Sequence, residues 1–170
     1  MPVLHQLLKP VRLSFVISSL IAALLLNFIP WSGTLYLLLP DFVGLVLLYW
    51  LMNQPKLVNL SWCFLLGLLL DIANANVFGQ HSLAYCFSGY LVLIRHRQLA
   101  MFAFGLQALY VGGLLLINQL IMLMIRLLSH TAVFPGWLYF ANAIIGALIW
   151  PLLSQLLQLP QRATDKSAEL

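Results

Sequence analysis

Long apolar stretches, broken only by brief polar turns, fill this chain from Val11 to Leu159, and nothing else constrains its fold so strongly. A soluble domain carries about a quarter of its residues as charged side chains. Here the share is 7%, against 63% hydrophobic residues and a mean hydropathy of +1.00. Such a chain is solvated by lipid, where each backbone N–H and C=O must find its partner inside the protein. A helix needs about 20 residues to cross a hydrocarbon core of about 30 Å, so this length suits five or six spans with short loops. The expected fold is an all-α integral membrane protein with six transmembrane helices in a compact bundle. No length remains for a soluble catalytic domain.

One domain is expected over 1–159, with spans near 11–29, 35–52, 57–73, 82–94, 99–128 and 137–159, and a polar, disordered cytoplasmic tail over 160–170. The basic start and first apolar run have the outline of a signal peptide. The run is long for one, however, and no small-residue cleavage site follows Asn27-Phe28-Ile29-Pro30-Trp31, so retention is expected. Pro40 interrupts the second span, because proline lacks a backbone donor and disfavours helix in the residue before it. Regular helix is therefore expected from Pro40, with Asp41 in the first turn and Leu35 to Leu39 as an irregular lead. Tyr49-Trp50 is expected at a membrane interface, and Asn53-Gln54-Pro55-Lys56 is a tight turn. The fourth span is expected to end at Arg95-His96-Arg97. Small and polar residues recur every four positions at Ser14, Ser18 and Ala22, and every seven at Gly105, Gly112, Gln119 and Arg126. With Asn142 and Gly146 on the last span, these mark helix-packing stripes, more often inside a bundle than toward a partner.

Orientation follows from the basic residues. With six spans and an inside start, Lys9, Arg12, Lys56, Arg95, Arg97, Arg162 and Lys166 face the cytoplasm, and Arg126 alone lies opposite. Both termini are then cytoplasmic. The same topology puts Asp41, Asp71 and Arg126 near the outer ends of their spans. Asp41 and Asp71 are the only acids in the apolar body, and an acid in lipid needs a reason to be there. Three readings stay open: a structural ion pair or hydrated rim, a polar pocket or docking mouth, and an ion relay.

Other chemistry is weakly encoded. Cys63 and Cys86 lie in apolar segments without metal-ligand spacing. His81 and His130 fall in separate outer loops, and His5 and His96 at the cytoplasmic edge, so no metal site is expected. No cofactor is expected. No serine sits in a nucleophile elbow, and no phosphate-binding loop is present. The net charge of +4 is small and dispersed, which argues against nucleic acid as a partner.

Taken in order, Asn27-Phe28-Ile29-Pro30-Trp31, then Pro40-Asp41-Phe42 leading to Tyr49-Trp50, then Gly67 with Asp71 and the following Gly79, resemble the bacterial rod shape-determining MreD family. The likeness covers essentially the whole chain and is weakest around His130 to Gly136 and in the tail. It implies a non-enzymatic inner-membrane part of the cell-elongation machinery. The implied partners are MreC and, through it, MreB, RodA and the partner transpeptidase that build peptidoglycan. It also implies a fold like the six-helix substrate-binding subunits of energy-coupling-factor transporters. The family supplies no catalytic residues to carry over. Pro40, Asp41, Gly67, Asp71, Gly79 and Arg126 are the partner or pocket candidates, from the motif match and the charge argument together. Two functions remain: a scaffold gripping the MreC helix, and a small-molecule binding or transport subunit with an outward pocket near Asp41 and Asp71.

Overall fold

The second apolar run becomes the centre of the molecule. In the computed structural model, which describes residues 11–29, 38–75, 77–130 and 136–163, it forms a short helix buried on every side. The described helices are α1 (Leu13–Phe28), α2 (Phe42–Asn53), α3 (Leu60–Ala73), α4 (Gln80–Met101) and α5 (Phe104–Leu128). A 3-10 turn (Trp137–Phe140) then leads into α6 (Ala141–Ala163). All regular structure among the described residues is helical.

Every residue of α2 from Val43 to Met52 is buried. It packs on α1 and α4 and also touches α3, α5 and α6, while α3–α4, α4–α5 and α5–α6 pack as neighbours. With 12 residues, α2 extends only about 18 Å at 1.5 Å per residue. Its aromatic end is not an interfacial belt. Tyr49 and Trp50 are 1% and 0% exposed, packed edge-on to each other with ring centroids 5.1 Å apart. Trp50 also meets Phe15 of α1 edge-on, and its Nε1 donates to Ser19 Oγ at 2.9 Å. An indole buried at a helix crossing needs that hydroxyl, because its N–H has no water to turn to.

The outer surface carries the large apolar side chains. Ile144, Leu148, Leu152, Leu156 and Leu159 form one exposed stripe along α6, and Leu83, Phe87, Tyr90 and Ile94 another along α4. The polar residues Asp71, Gln80, Ser82, Asn118, Gln119 and Ser154 are buried. Apolar outside and polar inside is the distribution of a lipid-solvated bundle, since a soluble monomer rarely exposes continuous apolar stripes of this kind. By length and composition, Phe104–Leu128 and Trp137–Leu159 suffice to cross a bilayer, whereas α1, α2 and α3 are apolar but shorter.

Several boundaries differ from expectation for local reasons. Helix α2 starts one residue after Asp41, which caps it from outside. Helix α4 runs through Arg95-His96-Arg97 to Met101, where a loop was expected, and α5 begins only at Phe104. The break is stitched at the Leu99 carbonyl, which accepts from Phe102 N at 3.2 Å and from Gln107 Nε2 at 2.9 Å. Helix α6 continues to Ala163, into the segment expected to be a polar tail. His5 and residues 164–170 lie outside the described residues.

Candidate functional site

Asp41, itself in extended conformation, is the N-cap of α2. Its Oδ1 accepts from Gly44 N at 3.1 Å, the usual bond of an N-cap side chain to the third helical residue. The same oxygen accepts from Asn27 Nδ2 of α1 at 3.1 Å, and Asn27 Oδ1 accepts from Phe42 N at 3.3 Å. One amide therefore ties α1 to both the cap and the first turn of α2. The second carboxylate oxygen takes Tyr85 Oη of α4 at 2.5 Å. Pro40 is buried just before the cap, and Asn142 of α6 donates to the carbonyl of Leu39. An added Cβ on Gly146 would lie 2.5 Å from Leu115 Cδ1 and 3.6 Å from Pro40 Cβ, so that glycine makes room for α5 and the start of α2 together.

Asp71 does the same work for a different helix. Helix α4 begins at Gly79, which has φ +90 and no side chain with which to cap. Asp71, in the last turn of α3 and 0% exposed, supplies the missing acceptor. Its Oδ2 accepts from Gly79 N at 2.9 Å, and both its oxygens lie 3.2 Å from His81 N. His81 Nδ1 stands 2.6 Å from Oδ1, so the imidazole carries its proton on that nitrogen. Gln80 Nε2, 3.3 Å from the same nitrogen, then meets a donor and forms no bond there. Gly67 lets the two helices close: an added Cβ would fall 2.5 Å from Ser82 N and Cα. Ser82 Oγ completes the junction by donating to the Phe64 carbonyl at 3.1 Å. Gly67, Asp71 and Gly79 are one device for starting α4 against the end of α3. His81, expected in a loop, sits in the first turn of α4.

The two acids meet through a single face of α4. His81 and Tyr85 are one turn apart with ring centroids at 6.0 Å, the first held by Asp71 and the second by Asp41. His81 and Asp41 line a cavity of about 330 Å³. Its wall on α5 is Leu115, Asn118, Gln119, Met122 and Arg126, spaced as one helical face. Asn27, Asp41, Asn74, His81 and Asn142 add further polar groups from the surrounding elements. Arg126, weighed above as a partner for either acid, donates from Nε to Gln80 Oε1 at 3.0 Å. Gln119 Nε2 donates to Tyr139 O at 3.1 Å. Gln119 Oε1 and both amide atoms of Asn118 are buried without a partner.

The remaining candidates divide by place. Gly112 meets α6, where an added Cβ would lie 2.8 Å from Ala147 Cβ. Ser14 and Ser18 lie on the exposed face of α1, and nothing stands within 4 Å of a Cβ built at Gly105. Tyr85 and Asn118 are site residues that the sequence did not mark as candidates; Asn27 entered only within the family motif and His81 only as a loop histidine. Asn27 and Asn118 carried one usable signal, a primary amide inside an apolar run, where each such group needs a partner.

A family model described as rod shape-determining protein MreD matches residues 9–159 of this chain. The rod shape-determining protein MreD of Haemophilus influenzae is 31% identical over 136 residues, which is 80% of this chain and 83% of that protein. No solved structure matches.

Proposed function

The chain belongs to the MreD family of rod shape-determining membrane proteins, and we propose that it is a non-enzymatic scaffold of the cell-elongation machinery in the bacterial inner membrane. The match across nearly the whole length carries this reading. In it, residues 1–159 form one domain of six membrane-crossing helices with both termini cytoplasmic, arranged like the substrate-binding subunits of energy-coupling-factor transporters. Its direct partner is MreC, and through MreC it supports MreB, RodA and the transpeptidase that build peptidoglycan.

Two observations agree with a scaffold. The carboxylates of Asp41 and Asp71 are each taken up by three or more contacts to donors that start or tether helices, which is structural employment. Helix α1 also presents Ser14, Ser18 and Ala22 outward at four-residue spacing, where a partner helix can approach closely.

The test is co-purification of tagged MreC with this protein from native membranes. Replacing Ser14, Ser18 and Ala22 together by leucine is expected to abolish co-purification and round the cells, with the melting temperature unchanged. Wild-type recovery of MreC by that variant refutes the α1 surface. Rod shape retained in cells deleted for the gene refutes the scaffold itself.

A further inference from the structure

The lipid-facing surface of the bundle is not of one height. Along the last element the exposed apolar side chains run from Leu138 to Leu159, about 32 Å at 1.5 Å per residue. On α5 they run from Phe104 to Leu128, about 36 Å. Both suffice for a hydrocarbon core of about 30 Å, with length left for tilt. Helix α3 does not. Its 14 residues extend about 21 Å. Phe64, Leu65, Leu69 and Ile72 are its exposed apolar face. Exposed polar residues close that face at both ends, Lys56 and Asn59 before the helix and Asn74 after it, with the exposed Phe78 in the connection that follows.

The shortfall lies at the Lys56 end. At the other end α3 and α4 are level, because Asp71 holds the N–H groups of Gly79 and His81. Toward Lys56, Cys86 Sγ stands 3.9 Å from the Leu60 carbonyl in the first turn of α3. There α3 stops but α4 continues, and its exposed Tyr90 and Ile94 reach about 12 Å past Cys86 at 1.5 Å per residue. Polar residues before α3 thus stand beside apolar ones on α4. Tilting a helix lowers the thickness it spans, so tilt cannot stretch α3 across a full core. Its polar ends reach water in a bilayer that thins to meet them. Granted the membrane-spanning reading above, and without reference to MreC, we propose that the α3 flank holds a thinned patch of bilayer. In that patch phospholipid headgroups dip to the α2–α3 turn, and Lys56 meets their phosphates.

The test places one nitroxide at a time on the full-length protein, one copy per nanodisc of dioleoyl phosphatidylcholine and phosphatidylglycerol. Cys63 is 0% exposed and stays, and Cys86→Ala leaves the introduced cysteine as the reactive one. Cys86→Val replaces that background if the alanine variant does not fold. Power saturation reads collisions with a nickel chelate in water against collisions with oxygen in lipid. Ser61→Cys and Ala73→Cys are about 18 Å apart and cannot both reach the headgroups of an unthinned core of about 30 Å. Both are expected to meet chelate roughly tenfold more often than Leu148→Cys, which faces mid-core on α6, while Leu65→Cys meets oxygen. Lys56→Leu should cut the chelate collisions at Ser61→Cys roughly twofold or more, through the lost attraction to phosphate. A chelate-shielded label at Ser61 or Ala73, whether the core is unthinned there or another protein covers the flank, overturns the proposal. So does a Ser61 reading that Lys56→Leu leaves unmoved. Chelate at Leu148→Cys refutes the six-span reading itself, and the thinned patch with it.

Discussion

Removing the Asp71 carboxylate should unfasten the start of α4. In Asp71→Leu, Gly79 N, His81 N and His81 Nδ1–H all lose their acceptor. The imidazole can shed its proton to the other nitrogen, but the two backbone N–H groups have no such escape. At about 1–3 kcal/mol for each buried donor left unmade, the loss is about 2–6 kcal/mol. The negative charge at a helix N-terminus adds up to about 2 kcal/mol, partly offset because the variant no longer buries a charge. A net loss of about 3–5 kcal/mol is expected. Asp71→Asn keeps one acceptor oxygen and the shape, and should lose about half as much. Reversible unfolding in mixed micelles of rising dodecyl sulfate, followed by tryptophan fluorescence, measures both. Hydrogen exchange should rise at Gly79 and His81 specifically. If the leucine variant unfolds within about 0.5 kcal/mol of the parent, less than a single lost hydrogen bond, or if asparagine is worse than leucine, the capping account fails.

Three further perturbations probe neighbouring contacts. Gly67→Ala drives a methyl to within 2.5 Å of the Ser82 backbone and should lower stability by about 1–3 kcal/mol or more, read by the same titration, since backbone cannot rotate aside. Gly79→Ala places a β-carbon at φ +90 and should lose about 1–2 kcal/mol, with Gly79→Asn milder. Its melting temperature against Gly67→Ala separates strain from crowding, because an added Cβ at Gly79 meets nothing within 4 Å. Tyr85→Phe removes the donor to Asp41 Oδ2 and should lose about 1.5–3 kcal/mol, the range for a bond to a charged group. A Tyr85→Phe, Asn27→Ala double-mutant cycle should then show coupling, because both side chains serve one carboxylate.

How far the site could be read beforehand depends on the range of each contact. The Asp41 cap was nearly legible, because Pro40 stops the preceding chain and an acid follows it, both immediately before the first turn of the helix. Gly67, Asp71 and Gly79 were visible as a block, yet their task was not. Spacing shows that Gly67 and Asp71 share a face of α3, while only the fold brings the Ser82 backbone onto Gly67. The tasks of Asn27 and Tyr85 were not legible because their partner, Asp41, is 14 and 44 residues away. Tyr49 and Trp50 were misplaced at an interface, because aromatic belts and aromatic core helices share the same composition.

By itself, then, the sequence determined the helical class and most helix positions. Too few charges for a soluble surface and long apolar runs leave a lipid-solvated helical chain little alternative, and proline, asparagine and glycine punctuate it locally. Tertiary structure decided what the buried polar groups do. It made α2 the core, aimed Asp71 at the first turn of α4 and Asp41 at the first turn of α2 and the Tyr85 hydroxyl, put Gln80 against Arg126, and left the Asn118 amide buried without a partner. A helix period states which residues share a face. Which face meets which is a property of packed elements far apart in the chain, and there the hydrogen bonds of a membrane protein are assigned.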